Sequence, residues 1–116
     1  MSAFTPRALI DIARTYILRY AVPVSATTTT IVQADRGKCV SLSAGITAPP
    51  SVLAAGDIVS LYNNTAGNLT ITQGAGLTLR LAGTATTGNR TLAQRGLATI
   101  WFLSATEAII SGSGVT

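Results

Sequence analysis

Histidine is absent from this 116-residue chain, which removes the commonest general base, proton shuttle and metal ligand together. Cysteine occurs once, at Cys39, so neither an intrachain disulfide nor a Cys-rich metal site can form. That residue reads as a small buried hydrophobe on a strand. Charge is scarce as well: Asp, Glu, Lys and Arg make up 10% of the chain, against the ~25–35% of a well-mixed surface. So low a share implies that part of the surface is covered by other subunits. No apolar run is long enough to span a bilayer, because Ala8–Val24 is broken by Asp11, Arg14 and Arg19 and a span needs ~20 predominantly apolar residues. The first residues lack the basic region, apolar run and cleavage site of a secretory leader, and no membrane partner is expected.

The four acids are Asp11, Asp35, Asp57 and Glu107, which fall in a helix, a turn, a strand start and a turn. They read as turn and cap residues, so no catalytic pair and no enzymatic activity are expected. Gly74-Ala75-Gly76 lacks the third glycine, the following helix and the Lys-Ser/Thr of a phosphate-cradling loop, and no cofactor or metal is expected. Eight basic residues give a net charge of +4 and a pI near 10. They are scattered, however, and the single tryptophan, Trp101, sits inside an apolar strand and reads as core or interface. Nucleic acid therefore stands only as an alternative partner, since its binders cluster basic residues with stacking aromatics.

What is present is a strong alternation. Between Gly56 and Leu81 three segments repeat with period two: Asp57–Asn63 with Val59 and Leu61 on one face, Asn68–Gln73 with Leu69 and Ile71, and Leu77–Leu81 with Leu77, Leu79 and Leu81. Strands with one buried and one wet face need this spacing. The Asn- and Gly-rich links 63–67 and 73–76 suit hairpin turns, which predicts an antiparallel meander. The expected core is Val59, Leu61, Leu69, Ile71, Leu77, Leu79, Ile100 and Phe102.

The remaining segments fall around it. Thr5-Pro6 is a helix start, and Leu9, Ile12, Ala13, Tyr16, Ile17 and Tyr20 then form one apolar stripe before Pro23 ends the helix. Arg7, Asp11, Arg14, Thr15 and Arg19 lie on the other side. Further on, Thr27–Val32 and Cys39–Ser43 read as strands, and Ile46–Pro50 as an edge or loop because of its paired prolines. Ala82–Asn89 is a polar loop, Arg90–Gln94 a short strand or turn, Gly96–Ser104 a strand and Glu107–Ser111 the closing strand before a Gly112–Gly114 tail. The expected organisation is a helix and arm over 1–24 and a β-module over 25–116.

In order along the chain, the Asp35–Lys38 turn, Ala55–Asn63, Gly67–Arg80, the Gly83–Gly88 loop, Gly96–Ile100 and Ile109–Gly112 resemble the small β-domains of tailed-bacteriophage virion proteins, of the tail-fibre, spike, head-fibre and decoration types. The resemblance covers roughly three-quarters of the chain. It implies a mainly β, antiparallel sandwich or jelly-roll-like module with one amino-terminal helix, assembled as a homotrimer on the particle exterior. Partners would be other virion proteins of capsid or tail, and a host-surface glycan met through Asn63, Asn64, Thr65, Thr84, Thr86, Thr87 and Asn89 in exposed loops. The helix stripe would serve assembly and attachment. The chain lacks the long shaft of a fibre, which leaves head and tail placements open, and a capsid-stabilising cement protein without a receptor role stands as the variant reading.

Overall fold

A computed structural model describes residues 22–27 and 29–116. The expected helix Thr5–Tyr20 and its stripe lie outside the described residues.

The regular structure of the described chain is strand: β1 (Val24–Ser25), β2 (Cys39–Leu42), β3 (Ile46–Ala48), β4 (Ile58–Asn63), β5 (Leu69–Gln73), β6 (Thr78–Leu81), β7 (Arg90–Ser104) and β8 (Glu107–Val115), with one 3-10 turn at Gln33–Asp35. The mainly β expectation holds, and β2, β4, β5 and β6 fall within a residue of the segments that alternation marks. The expected antiparallel meander does not form. β4 and β5 do not pair with each other; β4 lies parallel to β2, and β5 lies parallel to β3. The sheet is mixed, with β1 parallel to β2 and β6 parallel to β8 as well.

These pairings describe a coil. The chain runs along one wall (β2), turns a corner at residues 43–45, runs along a second wall (β3), and returns to repeat the path with β4, a corner at 64–68 and β5. Val24, Cys39 and Ser60 stack from rung to rung on the first wall. Thr30, Thr47 and Thr72 stack on the second, a ladder of β-branched polar side chains. Ile46–Ala48 is therefore an inner rung, bonded on both sides, and not the edge that its following prolines suggest. Thr47 donates its amide to the Thr29 carbonyl and accepts from the Ile31 amide. Pro49 and Pro50 come only after the last paired residue.

β7 then travels the coil backwards and closes it. Its first residues pair antiparallel with β5 on the second wall, Leu69 opposite Leu92, and its later ones pair antiparallel with β4 on the first, Val59 opposite Ile100. The short strand expected at Arg90–Gln94 and the long one from Gly96 are thus one element, bent at its middle. β8 follows β7 along its other edge, and the expected tail Gly112–Gly114 is part of it. The bend is absorbed by a register shift between Leu92 and Leu97, with Arg95 held at φ 56°.

Even-numbered residues of β7 and odd-numbered residues of β4 point inwards, so Ile100, Phe102, Val59 and Leu61 meet Val40, Leu42, Ile46, Ile71, Leu79 and Ile110 in one buried cluster. All eight expected core residues belong to it, Leu69 only partly buried at its margin. The link from β5 to β6 turns tightly at Gly74, whose position leaves no room for a side chain: a Cβ there would sit 2.5 Å from the Ala48 carbonyl oxygen.

Gly112 is the tightest of the backbone approaches. Its φ is 147°, and a Cβ would lie 2.2 Å from the Leu97 carbonyl oxygen. Both the conformation and the contact with backbone forbid a side chain. Gly112→Ala is expected to destabilise the fold by roughly 3 kcal/mol or more, whereas Gly37→Ala, at φ 73° in open space, is expected to lose only ~1 kcal/mol. Chemical denaturation of the two variants beside the parent checks the difference; equal losses would mean the β7–β8 approach is not as close as described.

Candidate functional site

The two loop groups singled out in the sequence have different fates. Asn63 is not an exposed loop residue. It is fully buried at the inward-facing end of β4, where its amide donates to the carbonyls of Gly67 at 2.8 Å, Ala93 at 2.9 Å and Leu92 at 3.0 Å. Its Oδ1 accepts from the Thr65 amide at 3.0 Å and the Thr65 hydroxyl at 2.6 Å. Asn63 is thereby committed to closing the corner between the walls, and Thr65 to holding its amide in place. Neither offers a side chain to a ligand. Asn64 remains exposed and accepts from Arg95 Nη1 at 2.7 Å.

The second group stays on the surface. Thr84, Thr86, Thr87 and Asn89 are all exposed in the loop between β6 and β7. Thr84 Oγ1 donates to the Leu81 carbonyl and accepts from the Thr86 amide, while Asn89 Oδ1 accepts from the Gln73 amide at 2.9 Å. No hydrogen bond among the described residues joins this loop to the Asn63 corner, so the structure supplies two separate places and not one combined ligand site.

The described acids have local structural partners. Asp57 caps a turn by accepting from the Ala54 amide at 2.9 Å, and Glu107 pairs with Arg80 at 2.6 Å. Asp35 is buried and gathers three donors: the Ser25 hydroxyl at 2.5 Å, the Thr27 hydroxyl at 2.8 Å and the Val32 amide at 2.9 Å. Burial pushes its carboxyl up, but the Ser25, Val32 and Thr27 hydrogen bonds and the nearby Lys38 charge outweigh it and hold the pKa below the ordinary aspartate value. This knot ties β1 and its following turn to the coil. Among the described residues no group of three His, Cys, Asp or Glu stands close enough to hold a metal ion.

The feature that alternation alone does not explain is the outer face of the first wall. Along β7 the residues opposite the core are Leu97, Thr99, Trp101 and Leu103. Leu97 is 53% exposed, Leu103 48% and Trp101 42%, and on β4 the neighbour of Trp101, Ile58, is 44% exposed. Strand pairing lines them up: Ile58, Trp101 and Ile109 form one row across β4, β7 and β8, and Tyr62 and Leu97 form another. Between the rows run Cys39, Ser60, Thr99 and Ser111, small and uncharged. Along this wall, β7 beyond its bend included, the charged side chains are Arg80 and Glu107, which pair with each other; Arg90 and Arg95 of β7 lie before and at the bend. Of the two readings of Trp101, core and interface, the fold excludes core: the residue faces outward in an apolar row. A wet sheet face ordinarily carries charge; this one carries none that is unpaired.

No protein-family model, curated protein or solved structure matches the chain.

Two consequences are measurable. Asn63→Ala leaves the Gly67, Leu92 and Ala93 carbonyls without their donor and is expected to destabilise the fold by ~2–4 kcal/mol in a denaturant titration, far more than Asn64→Ala. For Asp35 the folded pKa lies below the unfolded one, so its contribution is fully present above the ordinary value of 3.8 and is lost as pH falls through the folded pKa. Melting temperature followed from pH 7 down into this acid range should fall more steeply for the parent than for Asp35→Asn, which lacks that titration and starts lower. Parallel curves would contradict the assignment.

Proposed function

We propose that this chain is a non-enzymatic structural module of a bacteriophage particle, a homotrimeric β-module on the exterior that attaches through its amino-terminal segment. The observation that carries the reading is the outer face of the first wall. It is apolar, unpaired and free of net charge, which suits a surface that spends its working life against protein rather than water. The low charge of the whole chain points the same way.

Three further features support an assembly role. The three described acids are spent on a turn, an ion pair and a buried knot. The basic residues of the described chain are dispersed, with Arg80 on Glu107, Arg95 on Asn64 and Arg90 on the Asn89 carbonyl, so a continuous cationic track for nucleic acid is not what they form. The order of Gly- and Thr-rich elements resembles virion β-domains over most of the chain. Under this reading the exposed Thr84–Asn89 loop is the surface left for a receptor glycan or a capsid or tail protein.

Multi-angle light scattering of the purified protein at micromolar concentration is expected to give a mass near three chains. A clean monomer would contradict the trimer. Immunogold labelling of particles would then divide the placements, since a head component decorates the capsid and a tail component a single vertex.

A further inference from the structure

We infer that the apolar face of the first wall is where copies of this chain meet, the β4 column of one copy lying against the β8 column of the next. The inference rests on the homotrimer reading above and names its contact surface.

Register is the first argument. On the outer face each row crosses β4, β7 and β8 in turn: Ile58, Trp101 and Ile109, then Ser60, Thr99 and Ser111, then Tyr62, Leu97 and Ser113. The two columns that flank β7 therefore carry the same order of chemistry, one aliphatic group followed by two hydroxyls. Set against each other between copies, Ile58 meets Ile109, Ser60 meets Ser111 and Tyr62 meets Ser113. A hydroxyl both donates and accepts, so these rows pair with their own kind. Within one copy the Ser60 and Thr99 hydroxyls stand 3.5 Å apart, at the long limit of a hydrogen bond, which leaves them capacity for a partner. A contact between two different columns of one surface is heterologous, and it closes into a ring when the rotation between copies does. Around a three-fold axis beside β7 it gathers three Trp101 side chains in one layer and three Leu97 side chains in another, with Thr99 between.

Size is the second. From Leu97 to Leu103 the face runs six residues, ~20 Å, and its five strands from β2 to β6 are ~24 Å across, a footprint of ~500 Å² before side-chain relief is added. That is of the order of the ~800 Å² of accessible surface that each partner gives a stable interface. The face also has the make-up of one: aromatic and aliphatic groups at its centre, Cys39 and Ser41 towards one edge and the Arg80–Glu107 pair towards the other.

Charge is the third. Whole copies repel, at a net charge of +4 each. This face meets its like without that repulsion, since Arg80 and Glu107 neutralise each other and Arg95 stands at the bend, bonded to Asn64.

In one copy Ser60 and Ser111 lie two strand spacings apart, ~10 Å, beyond the ~7 Å that a disulfide spans. In a Cys39→Ser background, the full-length chain with Ser60→Cys and Ser111→Cys therefore links only between copies. Mild oxidation at micromolar concentration should yield linked dimers and closed trimers, and either single variant should stay unlinked. The only tryptophan reports the same contact. Iodide quenching of Trp101 should be weak in the parent and several-fold stronger in Ile58→Glu with Leu97→Glu, whose mass should fall to one chain. Both positions are exposed, and strand circular dichroism checks that the variant stays folded. A linked dimer from a parent of two-chain mass would end the trimer and leave this inference standing. A three-chain parent that forms no link between positions 60 and 111, or that links as readily in a single variant, would leave the trimer standing and overturn the inference. So would a three-chain mass that survives Ile58→Glu with Leu97→Glu. A monomeric parent would overturn both, and Trp101 protected in that monomer would assign the face to residues 1–21 of the same chain.

Discussion

Two walls of strands can share one core only if the chain passes between them without burying unpaired backbone groups, and at the corner after β4 and the adjoining bend of β7 one side chain meets that condition. Asn63 ends β4 with its amide pointing into the corner, where it satisfies carbonyls from its own turn and from the bend of β7. Its oxygen is held by Thr65. A buried carbonyl without a partner is costly, so a corner of this kind is stable only with an amide of this reach. That joint ties the corner between β4 and β5 to the bend of β7. Gly45, whose Cβ would fall 2.6 Å from the Thr70 carbonyl oxygen, lets the first corner pass close against the start of β5.

The strands themselves were legible in the sequence, and for a physical reason: Val59, Leu61, Ile71 and Leu79 alternate with polar residues because each strand has one face in the core. Pairing was not legible. Parallel and antiparallel neighbours impose the same period, and the Asn-Gly link at 63–67 has the composition of a hairpin turn whether it reverses the chain or only bends it. Asn63 illustrates the difficulty best. As the last residue of an alternating strand it stands at an inward position, and that parity is the signal that could have distinguished a buried corner residue from an exposed loop. Ile46–Ala48 misled through its prolines, which begin one residue after the pairing stops.

The surface was harder still. Leu97, Trp101 and Leu103 lie in the largely apolar strand Gly96–Ser104, where apolar residues fall on both faces and alternation alone does not say which face is buried. In the fold only its even-numbered half is buried, and Trp101 faces outward in a row with Ile58 and Ile109. Under the proposed reading, one face of this strand serves the core and the other a second contact. The scarcity of charge, visible from composition alone, has its local counterpart in this wall, where Arg80 and Glu107 cancel and the rest is aliphatic, aromatic or hydroxyl. Under the proposed reading, such a face works through what covers it.

That claim is tested most directly by paramagnetic solvent relaxation in the intact protein, read at the Trp101 indole and at the methyl groups of Ile58, Leu97 and Leu103. Covered as proposed, these groups should relax nearly as slowly as the core methyls of Ile100, and far more slowly than Thr86 and Thr87 in the open loop. Relaxation at Trp101 and Leu103 as fast as in that loop would mean the face is bare in solution and the account of it is wrong.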